Sequence, residues 1–168
     1  VLKVREDYQT NSKKIPIVAA GGIFTGKDIA KMLKLGASGV QMATRFVGTN
    51  ECDAHPKYKE AYTKSTEDGI VVILSPAGMP ARVIKNELVE RIQSGEKLKF
   101  KCPFRCLKTC DPYAANYCLA DALIKAYGGD LSEGFAMCGA NAYRVKKIVS
   151  VKELMDELTT EALKEYHE

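Results

Sequence analysis

The sequence predicts an α/β fold, because an apolar strand, a glycine turn, a helix and a second strand follow one another near its start. Residues 15–20 form a short apolar run rich in β-branched side chains, which is typical of a buried parallel strand. Gly21-Gly22 interrupts this run, a helical pattern covers 27–35, and a second strand covers 39–43. A unit of this kind joins two parallel strands through a right-handed crossover.

The remaining elements are predicted in chain order from periodicity and turn residues. Residues 1–14 are polar and are expected to form a connection. The elements that follow the first unit are helices over 56–63, 83–92 and 113–127, a strand over 70–74, a short helix or turn over 131–137, and amphipathic helices over 151–158 and 161–166.

The two predicted strands end in small residues that are suited to holding a phosphate. Gly21-Gly22 follows the first strand and Ala43-Thr44 follows the second. Ligands of parallel α/β folds lie at the carboxyl ends of the strands, and exposed backbone N–H groups bind anions there. Arg45 comes next and either contacts the phosphate or forms a salt bridge. The alternative is a pair of tight turns without a ligand.

Four cysteines form a second candidate site. Cys102, Cys106, Cys110 and Cys118 are separated by three, three and seven residues. The first three would share one face of a helix, and four thiols are able to bind zinc or an iron–sulfur cluster. However, the spacing lacks the usual pair of cysteines two residues apart, and Pro103 and Pro112 flank the segment. Free thiols that pack as small apolar side chains are therefore favoured over a metal site.

Composition excludes several classes of function. The chain has 168 residues and a net charge of +4, with lysine and glutamate interspersed, so we expect no nucleic-acid partner. No apolar run is long enough to span a membrane, and we expect no membrane partner. Six cysteines in a cytoplasmic protein, which is the expected location, would be thiols or metal ligands.

Five segments taken together resemble the nitronate monooxygenase family, which includes flavin-dependent enoyl-ACP reductases. The segments cover almost the whole chain in order and lie at 19–23, 35–46, 53–61, 78–86 and 148–158. The resemblance implies the C-terminal part of a (β/α)8 TIM barrel plus a mainly helical C-terminal extension. Residues 1–50 would be the last two βα units of an FMN-binding barrel. Residues 51–168 would be a helical extension or lid that carries the cysteine-rich segment 102–118.

The resemblance also implies site residues. The positions that would contact the FMN phosphate are Gly21, Gly22, Gln41, Met42, Ala43 and Thr44. Gly139 and Asn141 would approach the flavin ring. Ala43 replaces the glycine usual in the family, and Ala140 replaces a glutamine. No catalytic residue is assigned, because the family's histidine is expected in the N-terminal half, and His55 is expected to begin a helix.

The function implied is that of an FMN-dependent oxidoreductase, a nitronate monooxygenase that oxidises nitronates with flavin and O₂. The alternatives are an NAD(P)H-dependent enoyl-ACP reductase of the same family, or a fragment without activity. The expected partners are a small-molecule substrate, the N-terminal half of the same enzyme and, in a homo-oligomer, a second copy of the chain.

Overall fold

The computed structural model describes residues 1–8, 14–102 and 105–168. The elements in chain order are α1 Leu2–Tyr8, β1 Val18–Ala20, α2 Gly26–Lys34, β2 Gly39–Gln41, α3 Thr44–Val47, α4 Pro56–Lys64, β3 Ile70–Leu74, β4 Pro80–Ile84, α5 Glu87–Gln93, α6 Leu119–Tyr127, a 3₁₀ turn at Ala142–Arg144, and α7 Val151–His167. Over the residues described, none of these helices has both the length and the apolar character needed to cross a bilayer.

The predicted strand–helix–strand unit is present. Strands β1 and β2 pair in parallel, with Val18 opposite Gly39 and Ala20 opposite Gln41. Helix α2 between them starts at a capping box in which the Thr25 hydroxyl accepts from the Asp28 N–H and the Asp28 carboxylate accepts from the Thr25 N–H. Both strands are shorter than predicted, because only three residues of each lie in register with the other.

Helix α7 packs against α2 at an unusually short distance. A Cβ atom added to Gly26 would lie 2.5 Å from both the Ala162 nitrogen and the Leu158 oxygen. The Glu161 carboxylate also accepts a hydrogen bond of 2.8 Å from the Gly26 N–H. Helix α7 is continuous, so the prediction of two separate helices in this region was wrong. Its buried residues Leu154 and Leu158 are one turn apart and hold one face of the helix against the core.

The extension is mainly helical but also contains a β-hairpin, so the prediction that residues 83–92 form a single helix was wrong. Strands β3 and β4 pair antiparallel, with Val71 opposite Val83. Ala81 and Val83 alternate inward while Arg82 points to solvent, as expected for a strand with one buried face. The Asn86 side chain then accepts from the Val89 N–H and begins α5.

Two further boundaries differ from the sequence prediction. Residues 2–8 form helix α1, where a polar connection was expected, and residues 9–13 of that segment lie outside the described residues. Helix α6 begins at Leu119 rather than at 113. The reason is a turn at Asp111, whose carboxylate accepts from the Tyr113 N–H and whose carbonyl accepts from the Ala115 N–H.

Two apolar clusters form the core. The first lies between the hairpin, α5 and α6, and its largest side chains are Leu88, Tyr117 and Phe135. The second joins the strand–helix–strand unit to the extension, because Phe24 packs there with Tyr62 and Val145. The segment just after α3 and the segment just before α7 are also joined, since Thr49 and Val149 form a parallel bridge.

Candidate cofactor-binding site

The turn after β1 is an open glycine turn. Gly21 and Gly22 have φ angles of +84° and +74°, in the region that favours glycine over other residues. Both residues are exposed, and no atom lies within 4 Å of the position that a Cβ would take on either. A ligand can therefore approach the backbone of this turn closely.

The residue after β2 that reaches this region is Thr44. Its hydroxyl oxygen accepts a hydrogen bond of 3.0 Å from the Gly139 N–H, which is 95 positions away in the chain. A Cβ on Gly139 would lie 2.6 Å from the same oxygen, so the contact requires glycine there. Gln41 is the exposed last residue of β2, Met42 is half-buried, and Ala43 is exposed at the start of α3.

Asn141 connects the segment that contains Gly139 to the turn after β1. Its side-chain amide donates a hydrogen bond of 2.9 Å to the carbonyl oxygen of Gly22, 119 positions away. The turn 139–141 is thus bonded to the ends of both parallel strands. We call Gly21, Gly22, Thr44, Gly139 and Asn141 the glycine cradle.

The turn 139–141 is held in place by strand-like pairing that sequence reasoning missed. The Ile84 N–H donates to the Ala136 oxygen, and the Cys138 N–H donates to the Arg82 oxygen, each at 2.9 Å. The prediction of a helix or turn over 131–137 is therefore wrong where Ala136 and Met137 run beside β4. The short apolar run between Gly134 and Gly139 is the signal that could have indicated a strand.

Two acidic groups beside the turn 139–141 are neutral. Burial raises the pKa of the Cys138 thiol to about 11, despite the opposing effect of Arg82, so the thiol is neutral. Burial also raises the pKa of Tyr62, whose hydroxyl donates a hydrogen bond of 2.6 Å to the Met137 oxygen. Neither the Cys138 thiol nor the Tyr62 phenol would therefore repel a phosphate.

Arg45 is engaged in structural contacts. Its guanidinium donates to the Phe24 oxygen at 3.0 Å and to the Glu157 carboxylate on α7 at 2.9 Å. The guanidinium also lies 4.7 Å from the centre of the Phe24 ring, a cation–π distance. Of the two interpretations of Arg45 from sequence, the structure supports the salt bridge.

The two histidines have other places in the fold. His55 starts α4 as predicted, since its Nδ1 atom accepts from the Lys57 N–H at 3.2 Å. Its ring also lies directly against Gly129. His167 is in the last turn of α7, beside the Tyr166 ring.

The four predicted cysteines surround one cavity. Cys102, Cys106, Cys110 and Cys118 all line a cavity of about 600 Å³ in the segment between α5 and α6. Described residues 105–118 are not helical, so the predicted shared helix face is wrong. Within the described part of the chain, no three His, Cys, Asp or Glu side chains converge closely enough to hold one metal ion. Pro103 lies outside that part.

Burial raises the pKa of the Cys110 thiol, and the nearby Cys102, Cys106 and Cys118 raise it further. The other three cysteines are therefore close enough to Cys110 to affect its thiol. None of the six cysteines, all of which lie within the described residues, takes part in a disulfide bond in the structure.

Comparison with known proteins gives a family match over almost the whole chain. Residues 2–161 match the family model described as nitronate monooxygenase. Among curated proteins, a Mycobacterium tuberculosis protein named (3aS,4S,5R,7aS)-5-hydroxy-7a-methyl-1-oxo-octahydro-1H-indene-4-carboxyl-CoA dehydrogenase is 42% identical over 85 residues, 51% of this chain and 24% of that protein. A probable nitronate monooxygenase from Staphylococcus saprophyticus is 44% identical over 78 residues, 46% of this chain and 22% of that protein.

Solved structures match over a longer stretch. FabK from Thermotoga maritima has a TM-score of 0.73 at 36% identity, over 91% of this chain and 46% of that chain. Nitroalkane oxidase from Streptomyces ansochromogenes has a TM-score of 0.66 at 25% identity, over 93% of this chain and 42% of that chain. The matched segments cover less than half of these solved proteins and about a quarter of the curated ones.

Proposed function

Because the chain belongs to the nitronate monooxygenase family, we propose that it forms the phosphate-binding part of an FMN-dependent oxidoreductase. Members of the family are oxidoreductases and are generally flavin-dependent. The remaining strands of the proposed (β/α)8 barrel come from the N-terminal half of the same enzyme, since the solved relatives are more than twice as long as the part that this chain matches.

Apolar residues in and just before β1 are exposed, which supports pairing of this strand with the N-terminal half of the enzyme. Val18 is 58% exposed and Ile15, just before the strand, is 40% exposed, although both are β-branched apolar residues. Parallel sheets are normally covered on both faces, and an unpaired strand edge favours pairing with a further strand. The β1–β2 pair therefore has the properties of a sheet that is extended and covered by other strands and helices.

The observation that carries the proposal is the convergence of the glycine cradle at the carboxyl ends of β1 and β2. Thr44 and Asn141 bind the turn 139–141 to both strand ends, through bonds of 3.0 and 2.9 Å. The carboxyl ends of parallel strands are where barrel enzymes hold phosphates and active-site loops. The family resemblance implies that Gly21, Gly22 and Thr44 contact the phosphate of FMN and that Gly139 and Asn141 approach its flavin ring. Residues that bind two parts of one ligand must lie close together.

The residues present fit a phosphate held mainly by the backbone. The turn at Gly21-Gly22 is exposed and has no atom where a Cβ would lie, so its N–H groups are accessible to an anion. Arg45, the cation that follows Thr44 in the chain, is bonded to Glu157. When bound, FMN supplies the redox chemistry, and the protein supplies position and electrostatics.

Nitronate oxidation with O₂ is the activity that we propose first, since the family model and the staphylococcal relative carry that name. Reduction of an enoyl thioester by NAD(P)H is the second candidate. It is favoured by the better match to FabK, with a TM-score of 0.73 against 0.66 for nitroalkane oxidase. The relative named a carboxyl-CoA dehydrogenase also acts on a CoA compound.

The cradle is tested by FMN titration of the full-length enzyme that contains this chain. In Gly139→Ala the new methyl group would lie 2.6 Å from the Thr44 hydroxyl and would displace it. We expect FMN affinity to fall about tenfold, which corresponds to about 1.4 kcal/mol, the scale of one lost hydrogen bond. Fluorescence quenching of FMN measures the change.

Gly128→Ala is the matched control, because its methyl group would make only ordinary contacts, the nearest at 3.5 Å. Equal FMN affinity in Gly139→Ala and the control would contradict the role of Gly139. A full-length enzyme that binds no FMN would overturn the proposed function. Assays with a nitronate and O₂, and with an enoyl thioester and NAD(P)H, then separate the two activities.

A further inference from the structure

We propose that Cys102, Cys106, Cys110 and Cys118 bind an iron–sulfur cluster in the cavity that they line. This site is separate from the glycine cradle and does not depend on FMN binding. It reverses the preference for free thiols that the spacing alone suggested, and the reason for the change is geometric.

The first argument is the way the four thiols are arranged. All four line one cavity of about 600 Å³, whereas Cys52 and Cys138 lie elsewhere in the fold. A single zinc ion would need the sulfur atoms within about 4 Å of one another, given a Zn–S distance of about 2.3 Å. Among the described residues, no group of three or more His, Cys, Asp or Glu side chains is arranged to hold a single metal ion. A cluster spreads its four thiolates over several iron atoms and suits ligands that surround a wider space.

The second argument is charge. A cluster held by four thiolates is an anion, and the residues around the first three cysteines are basic: Lys97, Lys99, Lys101, Arg105 and Lys108. Arg105 lines the cavity itself. Asp111 lines it too, but its carboxylate accepts from the Tyr113 N–H at 2.9 Å and belongs to the turn before α6.

The third argument is the lack of regular structure around the cavity. We call residues 94–118 the cysteine loop, and neither helix nor strand occurs in its described parts, 94–102 and 105–118. Loops longer than about 12–15 residues are uncommon in compact domains unless they have a function. A bound metal provides folding free energy to such segments, because the ligands fix the backbone that carries them.

The first experiment measures the metal content of the full-length protein purified without oxygen. We expect iron and acid-labile sulfide in equal amounts, about two or about four of each per chain, and visible absorption that bleaches on reduction with dithionite. Zinc at about one per chain without sulfide would overturn the cluster and indicate a zinc site. Disulfides between these cysteines, or thiols without metal after anaerobic reconstitution with iron and sulfide, would also overturn it.

The second experiment uses single Cys→Ser variants. C106S and C110S are expected to lose most of the iron and sulfide, while the control C52S retains the content of the unaltered protein. Circular dichroism and FMN content are measured on the same samples, so a variant that fails to fold is recognised. Iron retained in well-folded C106S and C110S would overturn the assignment. Iron without FMN would contradict only the proposed flavin function, and FMN without iron only the cluster.

Discussion

The glycine cradle is held together by hydrogen bonds between distant parts of the chain, whereas the cysteine loop combines short-range hydrogen bonds with the packing of Tyr117, near its end, in the core. The bonds from Gly139 to Thr44 and from Asn141 to Gly22 span 95 and 119 positions. In the cysteine loop, by contrast, the Cys110 N–H donates to the Leu107 oxygen, three residues earlier.

The contacts of the cysteine loop with the hairpin include long hydrogen bonds. The Thr109 hydroxyl donates to the Ala77 oxygen and the Tyr117 hydroxyl donates to the Leu74 oxygen, each at 3.4 Å. Bonds of that length are weak. The comparison teaches that the protein's own contacts join the parts of the cradle, whereas the proposed cluster would supply much of the order of the cysteine loop.

The largest expected effect comes from removing metal. Stripping the cluster with a chelator and a reductant should raise amide hydrogen exchange over 105–118 by about a hundredfold or more, because the loop loses the ligand that orders it. Exchange at 139–141 should remain within about threefold, since protein contacts hold that turn. Mass spectrometry of exchanged peptides measures both regions. Equal changes in hydrogen exchange at 105–118 and at 139–141 would contradict the proposed difference between the two regions.

A smaller effect is expected when the close contact between α2 and α7 is disturbed. Gly26→Ala would place a methyl group 2.5 Å from backbone atoms of α7, which must move away. We expect a loss of about 2–3 kcal/mol in the free energy of unfolding, typical of overpacking and larger than the gain of about 1 kcal/mol from alanine's helix propensity. Urea denaturation measures it. Gly39→Ala, with no atom within 4 Å of the added carbon, is the control and should be nearly neutral.

The smallest effect concerns pH. Burial acts to raise the pKa of Asp28, but hydrogen bonds from Thr25 and Phe24 outweigh it and hold this pKa below its usual value of 3.8. The folded state thus binds the Asp28 proton more weakly than the unfolded state. The stabilisation is fully present above the usual pKa and is lost as pH falls through the lowered one.

Asp28→Asn should therefore cost about 1 kcal/mol at neutral pH, the scale of a helix N-cap, and the difference from the unaltered protein should shrink below about pH 4. Urea denaturation at several pH values measures this difference. A difference that stays constant with pH would show that the carboxylate charge does not matter. Asp28 belongs to the capping box at the start of α2, where this helix contacts α7. The result therefore also tests how the contact between the two helices is stabilised.

The parts of the fold that sequence predicted are those governed by local rules. The strand–helix–strand unit follows from a β-branched run, a glycine pair and a helical pattern, and the start of α4 follows from His55 and Pro56. The family assignment is confirmed by the match over residues 2–161. The contact of Gly139 and Asn141 with the cradle could be expected only from resemblance, because it depends on residues far apart in the chain.

Strand β4 was missed because two periodicities overlap in its sequence. Val83, Ile84 and Leu88 are spaced as on one face of a helix, but Ala81 and Val83 also alternate as in a strand. Pairing with β3 on one side and with 136–138 on the other decides between them. That pairing depends on the tertiary structure and cannot be read from the local sequence. The same holds for the cavity, which is lined by four cysteines at uneven spacing in the chain.

The hydrogen bond between Gly26 and Glu161 has a consequence for biosynthesis. Its two residues are 135 positions apart. At a translation rate of about 10 residues per second, Gly26 waits about 13 s after its own synthesis before Glu161 is made. During that interval the start of α2 lacks its helical partner and leaves apolar surface uncovered. A nascent chain at this stage is a natural client for ribosome-associated chaperones, and slow codons between the two residues would lengthen its exposure.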